Sequence, residues 1–261
     1  MRNTPLLYLV SFFIFLSCND NLEEVTPEPI LKLDETIIVD NIIRSFHIQH
    51  PADHEGKPLV LVLHGHGGSS DQSLGMGVGK NPQRLWLDEA KENEFIVVIP
   101  NGELGPEDSR GWNDCREDAV GNPSTDDVKF FNELLDALEQ EYNHNPSRVY
   151  VAGVSNGAMM AQRLAEEIPE KITAFASIVN SRSANSKCTE SDQPISALFM
   201  NGTTDPLVPY EGGQISDDRG LVISTDETIQ YWIERNQTSS TPVIENFEDL
   251  EADDNLSLIH I

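Results

Sequence analysis

The chain has 261 residues, which is enough for one large domain with a substantial core. Its 44 acidic and 17 basic residues give a formal net charge of -27 at pH 7, and a surface this negative argues against nucleic acid as a partner. Solubility or a saline environment would explain such a charge, which gives no information about the reaction.

The amino terminus has the composition of a secretory signal. Residues 6–16 form an almost unbroken apolar run that is too short to cross a bilayer as a stop-transfer helix. The run ends in Phe15-Leu16-Ser17-Cys18, which resembles a bacterial lipobox and implies a lipid anchor on Cys18. A plain signal peptide with a chance cysteine is the alternative. We expect a signal peptide over 1–17, a polar tether over 18–33, and a secreted or cell-envelope protein.

Two further cysteines, Cys115 and Cys188, would lie in an oxidising compartment, where a disulfide between them is permitted. Sequence alone cannot show that their Cα atoms are close enough to be bridged. No Cys-x-x-Cys or His-Glu-x-x-His spacing occurs, and we therefore expect no metal.

Short β-branched or apolar runs predict strands, and the first two, joined by Asp40-Asn41, predict a hairpin at one edge of a sheet. Later runs are continuously apolar, which is typical of strands covered on both faces. Apolar residues at helical spacing lie between them. The predicted strands cover residues 36–39, 42–48, 58–63, 95–99, 148–152, 172–179 and 195–200, and the predicted helices cover residues 85–92, 128–142 and 158–167.

This alternation predicts an α/β domain at residues 34–255, with a mostly parallel sheet and helices on both faces. Ligands of such sheets bind at the carboxyl ends of the strands. Three segments fall at that edge, namely the glycine-rich loop His64-Gly65-His66-Gly67-Gly68-Ser69-Ser70, the segment around Ser155, and the turn at 201–210. The irregular segment 103–125 is long enough to be either functional or disordered.

The segment Gly153-Val154-Ser155-Asn156-Gly157 joins a predicted strand to a predicted helix. This pattern is typical of a nucleophile elbow, a strained turn that exposes a serine hydroxyl. Glycines flank the serine because β-carbons there would collide with a neighbouring strand or helix. The helix that follows directs free N–H groups and a partial positive charge to the same point. Ser155 is therefore the candidate nucleophile.

Chain order supplies the other candidates. Asp205 follows a predicted strand, where an acid can hold an imidazole in the tautomer that accepts the serine proton. A turn aspartate before proline is the alternative. The backbone N–H groups of His66 and Asn156 are the expected oxyanion donors. Trp112 either offers a flat face to an aromatic or sugar ring of the substrate or packs under its own loop.

The histidine of the expected triad is not identifiable. Only His260 follows Asp205, and we do not expect it to be the base, because it lacks packed chain on both sides. Residues 256–261 are interpreted as a non-native or truncated end, so that a last strand and a histidine loop are expected to be missing. His64 is predicted to brace the glycine-rich loop. The remaining histidines, predicted to lie at the surface, are His47, His50, His54 and His144.

Six motifs occur in one order along the chain. They are His64-Gly65-His66-Gly67-Gly68, Pro100-Asn101-Gly102, Gly111-Trp112-Asn113, Asp126-Asp127-Val128, Gly153-Val154-Ser155-Asn156-Gly157-Ala158-Met159-Met160 and Gly202-Thr203-Thr204-Asp205-Pro206-Leu207-Val208-Pro209-Tyr210. Over residues 44–235 the chain thereby resembles the secreted esterases grouped with polyhydroxybutyrate depolymerases, feruloyl esterases and acetylxylan esterases. The resemblance implies an α/β-hydrolase fold and carboxylic ester hydrolysis by a Ser-Asp-His triad without a cofactor. Members of that family usually carry their histidine in a loop near the carboxyl terminus, which this chain lacks.

The expected function is that of a serine esterase acting on feruloyl or acetyl esters of plant polysaccharide, or on a polyhydroxyalkanoate-type polyester. A polymeric substrate is favoured because an anchored enzyme outside the cell meets polymers. A serine peptidase or a broad small-ester hydrolase of the same fold is the alternative among enzymes. The contrasting hypothesis is a non-catalytic envelope binding protein that lacks the base.

Overall fold

A computed structural model describes residues 27–77, 81–239, 241–243 and 245 of the chain. The predicted signal peptide, Cys18, His260 and the segment 256–261 lie outside these residues. Within the described part, no helix is both long and apolar enough to cross a membrane.

Eleven strands and five α-helices make up the described fold, with short 3₁₀ helices at Pro82–Arg84 and Ser216–Asp218. The strands are β1 (Ile30–Val39), β2 (Ile42–His50), β3 (Leu59–Leu63), β4 (Ile96–Pro100), β5 (Glu103–Leu104), β6 (Arg110–Gly111), β7 (Val149–Val154), β8 (Ala174–Ile178), β9 (Ser196–Met200), β10 (Gly213–Gln214) and β11 (Leu221–Val222). The helices are α1 (Ser70–Ser73), α2 (Leu85–Asn93), α3 (Asp127–Tyr142), α4 (Asn156–Glu167) and α5 (Thr225–Asn236).

Seven of the strands form one sheet in the order β1-β2-β4-β3-β7-β8-β9. The pairs β1–β2 and β2–β4 are antiparallel, and the remaining neighbours are parallel. Side chains alternate across β3, so that Val60 and Val62 pack with α2 on one face while Leu61 packs with α3 and α4 on the other. The predicted mostly parallel sheet with helices on both faces is confirmed.

The first strand is longer than the sequence predicts. It begins at Ile30, which pairs with His50, so residues 30–33 belong to the sheet and not to the predicted tether. The pairing register shifts between Lys32 and Glu35, and this irregularity interrupts the apolar alternation by which a strand is recognised.

The predicted surface position is wrong for three histidines. His47, His50 and His144 are only 2%, 4% and 3% exposed. His47 is buried because β2 is covered on both faces, and its ring is bonded on both sides: Nδ1 accepts the N–H of Asp34 at 3.1 Å and Nε2 lies 3.0 Å from Oδ1 of Asp71. Polar residues in a paired strand can therefore be buried when their ring nitrogens find partners.

The outer edge of β9 pairs with no other strand among the residues that the structure describes. Leu198 of this strand is 47% exposed, and it lines a groove of about 520 Å³ between β9 and α5. The expectation of one further strand beyond β9 stays a prediction, because it concerns residues outside the described part.

The turn from β7 to α4 packs closely against the end of β3. A Cβ placed on Gly157 would lie 2.5 Å from the carbonyl oxygens of both Leu63 and His64 at the end of β3. A Cβ on Gly153 would lie 2.2 Å from the carbonyl oxygen of Gly157. Only glycine fits at either position, as the sequence pattern predicts.

Replacement of Gly157 by alanine should therefore lower the free energy of unfolding by at least about 3 kcal/mol, since the backbone of β3 must move to admit the methyl group. The matched control is Gly202→Ala, because a Cβ on Gly202 meets no atom within 4 Å and should change stability by less than about 0.5 kcal/mol. Urea unfolding measures both variants. Equal transition midpoints would show that α4 does not pack against β3 in this way.

Candidate active site

Ser155 stands between β7 and α4 in a backbone conformation that side chains rarely adopt. Its φ is 54° and its ψ is -121°. A non-glycine residue in such a conformation costs about 1–3 kcal/mol, and it persists only where its surroundings hold it. The N–H of Ser155 donates to the carbonyl of Ile178 at 2.9 Å, and its own carbonyl accepts the N–H of Met159 at 3.0 Å. The half-buried serine thus sits on the strained elbow predicted from the sequence.

The glycine-rich loop after β3 lies directly against Ser155. A Cβ on Gly65 would be 3.3 Å from Cβ and 3.9 Å from Oγ of the serine. The N–H groups of Gly67 and Gly68 are bonded to the carbonyls of Arg110 and Gly65 at 2.7 and 3.0 Å. The N–H of His66, the residue before Gly67, donates to no backbone carbonyl within residues 27–77 and 81–239.

The side chains of His66 and Asn156, the two residues predicted to supply oxyanion donors, both lie close to Gly111 of β6. A Cβ there would lie 2.9 Å from Oδ1 of Asn156 and 3.4 Å from Nδ1 of His66. Asn156 is the first residue of α4, where backbone N–H groups have no partner within the helix. Burial lowers the pKa of His66, with a further lowering by the nearby charge of Arg219. The imidazole of His66 is therefore neutral at pH 7.

The predicted bracing role of His64 is confirmed by its hydrogen bonds. Its Nε2 accepts the N–H of Gly102 at 3.0 Å, so its Nδ1 carries the proton that it donates to the carbonyl of Gly65 at 2.7 Å. Burial lowers the pKa of His64 to about 4 and keeps the ring neutral at pH 7. The ring ties the glycine-rich loop to the end of β4.

Asp205 lies in the turn that follows β9, at the same edge of the sheet as Ser155. Its Oδ1 accepts the N–H groups of Leu207 and Val208 at 2.8 and 2.9 Å. Val208 packs against Met159 of α4, which connects this turn to the elbow helix. Strands in a sheet are about 4.8 Å apart, so the ends of β7 and β9, with β8 between them, are separated by about 10 Å. An imidazole ring between the turn and the serine would fit that separation.

Trp112 is not placed to contact a substrate, and this prediction is corrected. The side chain is 0% exposed, its ring centroid lies 5.4 Å from that of Phe131, and its Nε1 donates to the carbonyl of His64 at 2.8 Å. The indole packs into the core under its own loop, because α3 supplies aromatic contacts and the glycine-rich loop supplies an acceptor.

The disulfide that the sequence permits is present between Cys115 and Cys188. It joins the loop after β6 to the loop after β8. Backbone bonds run alongside it, from Lys187 N–H to the carbonyl of Cys115 at 2.8 Å and from Glu117 N–H to the carbonyl of Asn185 at 3.0 Å. The disulfide and these bonds hold the two loops together as one rim beside the elbow.

Two side-chain groups in the described part have the composition of a metal site, and both are engaged otherwise. In the group of Cys115, Glu166 and Cys188, the two sulfur atoms are bonded to each other. In the group of Asp34, His47 and Asp71, both ring nitrogens of the histidine take part in the hydrogen bonds described above.

Sequence reasoning missed Asp114 and Arg116, which lie beside the elbow and are 0% and 4% exposed. Arg116 donates to both carboxylate oxygens of Asp114, from Nε at 3.0 Å and from a terminal nitrogen at 2.6 Å. The one signal in the sequence was their place next to Cys115 in an otherwise irregular loop. Nothing in the sequence distinguishes Asp114 from the other acids of that loop.

The family described as "Putative esterase" matches residues 43–235 of this chain. A putative esterase of Nocardia uniformis subsp. tsuyamanensis is 31% identical over 163 residues, which are 62% of this chain and 44% of that protein. A bifunctional acetylxylan esterase/xylanase of Neocallimastix patriciarum is 27% identical over 64% of this chain and 22% of its own. A probable feruloyl esterase C of Aspergillus niger is 25% identical, over 65% and 58%. The chain thus spans less than two thirds of each of these relatives.

Among solved structures, a Bacillus cereus carboxylesterase superposes with a TM-score of 0.52 at 21% identity, covering 75% of this chain and 82% of that one. A thermostable esterase superposes with a TM-score of 0.50 at 17% identity, covering 78% and 51%. These likenesses establish the α/β-hydrolase fold. With the family match over most of the described residues, they lead to one conclusion: this chain is a member of the esterase family.

Proposed function

We propose that the protein is a serine esterase in which Ser155 is the nucleophile. The observation that carries the proposal is the positive φ of this serine at the start of α4, against the glycine-rich loop. Such a turn holds the hydroxyl at the carboxyl edge of the sheet, where a substrate can reach it. Membership of the esterase family and the names of the relatives support the same reaction class.

In the proposed reaction, Oγ of Ser155 adds to the ester carbonyl while a base removes its proton. The N–H groups of His66 and Asn156 hold the negative oxygen of the tetrahedral intermediate. The bond to the alcohol then breaks, the base returns the proton to the departing oxygen, and the acyl group stays on Ser155. Water, deprotonated by the same base, releases the acid. Asp205 would orient a histidine base through its carboxylate.

The proton acceptor is not found among the described histidines. The two ring nitrogens of His64 are occupied, and the imidazole of His66 precedes the serine in the chain and faces Glu107, with its Nε2 3.9 Å from that carboxylate. Ser155 and Asp205 are therefore the two triad members proposed among the described residues.

For the substrate, we propose acetyl or feruloyl esters of a plant polysaccharide such as xylan. Relatives named acetylxylan esterase/xylanase and feruloyl esterase support this class. A polyhydroxyalkanoate-type polyester is the second polymer that fits the motifs of the sequence. Comparison of acetate and ferulate release from xylan with hydroxybutyrate release from the polyester distinguishes the two.

We expect the chain to accelerate hydrolysis of p-nitrophenyl acetate when imidazole is supplied in solution as the general base. The Ser155→Ala variant should show no acceleration over imidazole alone. Imidazole can take the serine proton in place of a side chain, but without the hydroxyl no acyl-enzyme forms. With a complete triad, removal of the serine costs about 10⁶ in kcat. Release of p-nitrophenol measures the rate of each protein against imidazole alone.

The matched control is Ser147→Ala, because Ser147 is exposed just before β7, at the opposite end of the strand that leads to Ser155. This variant should keep the full imidazole-dependent rate. A Ser155→Ala protein that hydrolyses the ester as fast as the unchanged chain would disprove the assignment of the nucleophile. The absence of any protein-dependent rate would favour the non-catalytic binding protein.

We also propose that the protein is a cell-envelope lipoprotein anchored through Cys18. The support is the lipobox-like sequence after an apolar run. The described residues start at Pro27, close to the start of β1 at Ile30. A short segment would therefore connect the lipid on Cys18 to the sheet.

Expression in a bacterial host with labelled palmitate should yield a labelled protein in the membrane fraction, and Cys18→Ser should carry no label. The acyl chains need the Cys18 thiol and the amino group exposed by cleavage. The double variant Cys115→Ser/Cys188→Ser keeps Cys18 as the single cysteine and should incorporate label normally. Label in the Cys18→Ser protein, or none in the unchanged chain, would contradict the anchor.

A further inference from the structure

The side chain of Asn156, the residue after Ser155, connects the backbone of the elbow to the loop that carries Trp112. The side-chain Oδ1 of Asn156 accepts the N–H of Trp112 at 2.7 Å, and its Nδ2 donates to the carbonyl of Trp112 at 3.0 Å. Asn156 is 2% exposed. The side chain of this first residue of α4 is thus paired with the backbone of the loop after β6.

The second N–H of the same amide donates to Oδ2 of Asp114 at 2.7 Å. An amide group can make this set of bonds in only one orientation, since its oxygen must face one N–H and its nitrogen must face two acceptors. The backbone of Trp112 and the carboxylate of Asp114 together therefore fix which way the Asn156 side chain points. A bond from an amide to a carboxylate is also stronger than one between neutral groups.

Asp114 is itself held in place. Its carboxylate accepts two side-chain bonds from Arg116 and one from the Arg116 backbone N–H at 2.9 Å. Burial alone would raise the pKa of Asp114, but the Arg116 charge and these bonds outweigh burial and hold the pKa below its usual value. The carboxylate is therefore ionised at pH 7, as its role as an acceptor requires.

The loop that carries Asp114 is fixed at the next residue by the Cys115–Cys188 disulfide. Arg116 also donates to the carbonyl of Arg219. A chain of contacts thus runs from the rim, through Asp114, to the peptide that joins Ser155 to Asn156.

We propose that Asp114 is a positioning residue, which acts through the Asn156 side chain to hold the Ser155–Asn156 peptide in the orientation that presents its N–H to an oxyanion. The expected effect on the reaction rate rests on the proposed function, whereas the expected effect on the Ser155–Asn156 backbone does not. Asp114 touches no substrate. Its effect is on the geometry of a donor, so its loss should slow catalysis without weakening substrate binding.

Two variants test this inference. Asn156→Ala keeps the backbone N–H but removes the side-chain link, and Asp114→Leu/Arg116→Met removes the acceptor without leaving a buried arginine unpaired. The matched control is Asn113→Ala, which removes bonds from the same loop to Thr125 and Lys187 but none to Asn156. Each protein is compared by NMR relaxation dispersion and by imidazole-supported turnover of p-nitrophenyl acetate.

In both test variants the amide signals of residues 155 and 156 should show exchange broadening on the μs–ms timescale, and those of the control should not. The maximal rate should fall about 10- to 100-fold while the half-saturating ester concentration stays unchanged. Unbroadened signals and unchanged rates in either folded test variant would overturn the proposal. Broadened signals in a protein whose rate does not depend on Ser155 would instead reject the proposed function alone.

Discussion

The site depends on how closely the first turn of α4 approaches the end of β3. The carbonyl oxygens of Leu63 and His64 leave no room for a side chain on Gly157, and Gly157 in turn leaves none on Gly153. A helix that begins this close to the sheet forces the residue between strand and helix out of the ordinary φ/ψ regions. Ser155 takes up that strain, and its hydroxyl is consequently held at the carboxyl edge of the sheet rather than in the core.

The surrounding loops maintain the strained turn from several sides. The glycine-rich loop is braced by the neutral imidazole of His64 and contacts Ser155 through Gly65. The loop after β6 pairs with Asn156 and is tied by a disulfide to the loop after β8. The turn that holds Asp205 is connected to α4 by apolar packing of Val208 on Met159. The contacts among these loops hold them in place around Ser155.

The parts that could be predicted from the sequence are those set by local backbone requirements. The elbow was predictable because Gly153 and Gly157 bracket a serine between a β-branched run and an alanine-rich helix, and few other structures need that order. The sheet was predictable from its continuous apolar strands. The helix α5 was not predicted, although Ser224 and Glu227 form a capping box at its start.

Other features depend on contacts between distant segments, which no local pattern contains. Trp112 is buried because the carbonyl of His64 and the ring of Phe131 come together in the fold, and a loop tryptophan gives no sign of either. The burial of His47 depends in the same way on Asp34 and Asp71. Asp114 became recognisable as a candidate only from its bond to Asn156.

The measurement that tests the central claim most directly is the site of covalent modification by a fluorophosphonate, with imidazole present, located by peptide mass spectrometry. Trypsin releases the peptide from Val149 to Arg163, in which Ser155 is the only serine. The strained elbow predicts that the phosphonyl group is found on this peptide, at Ser155. A folded protein that is labelled at another residue, or is not labelled at all, would contradict the account.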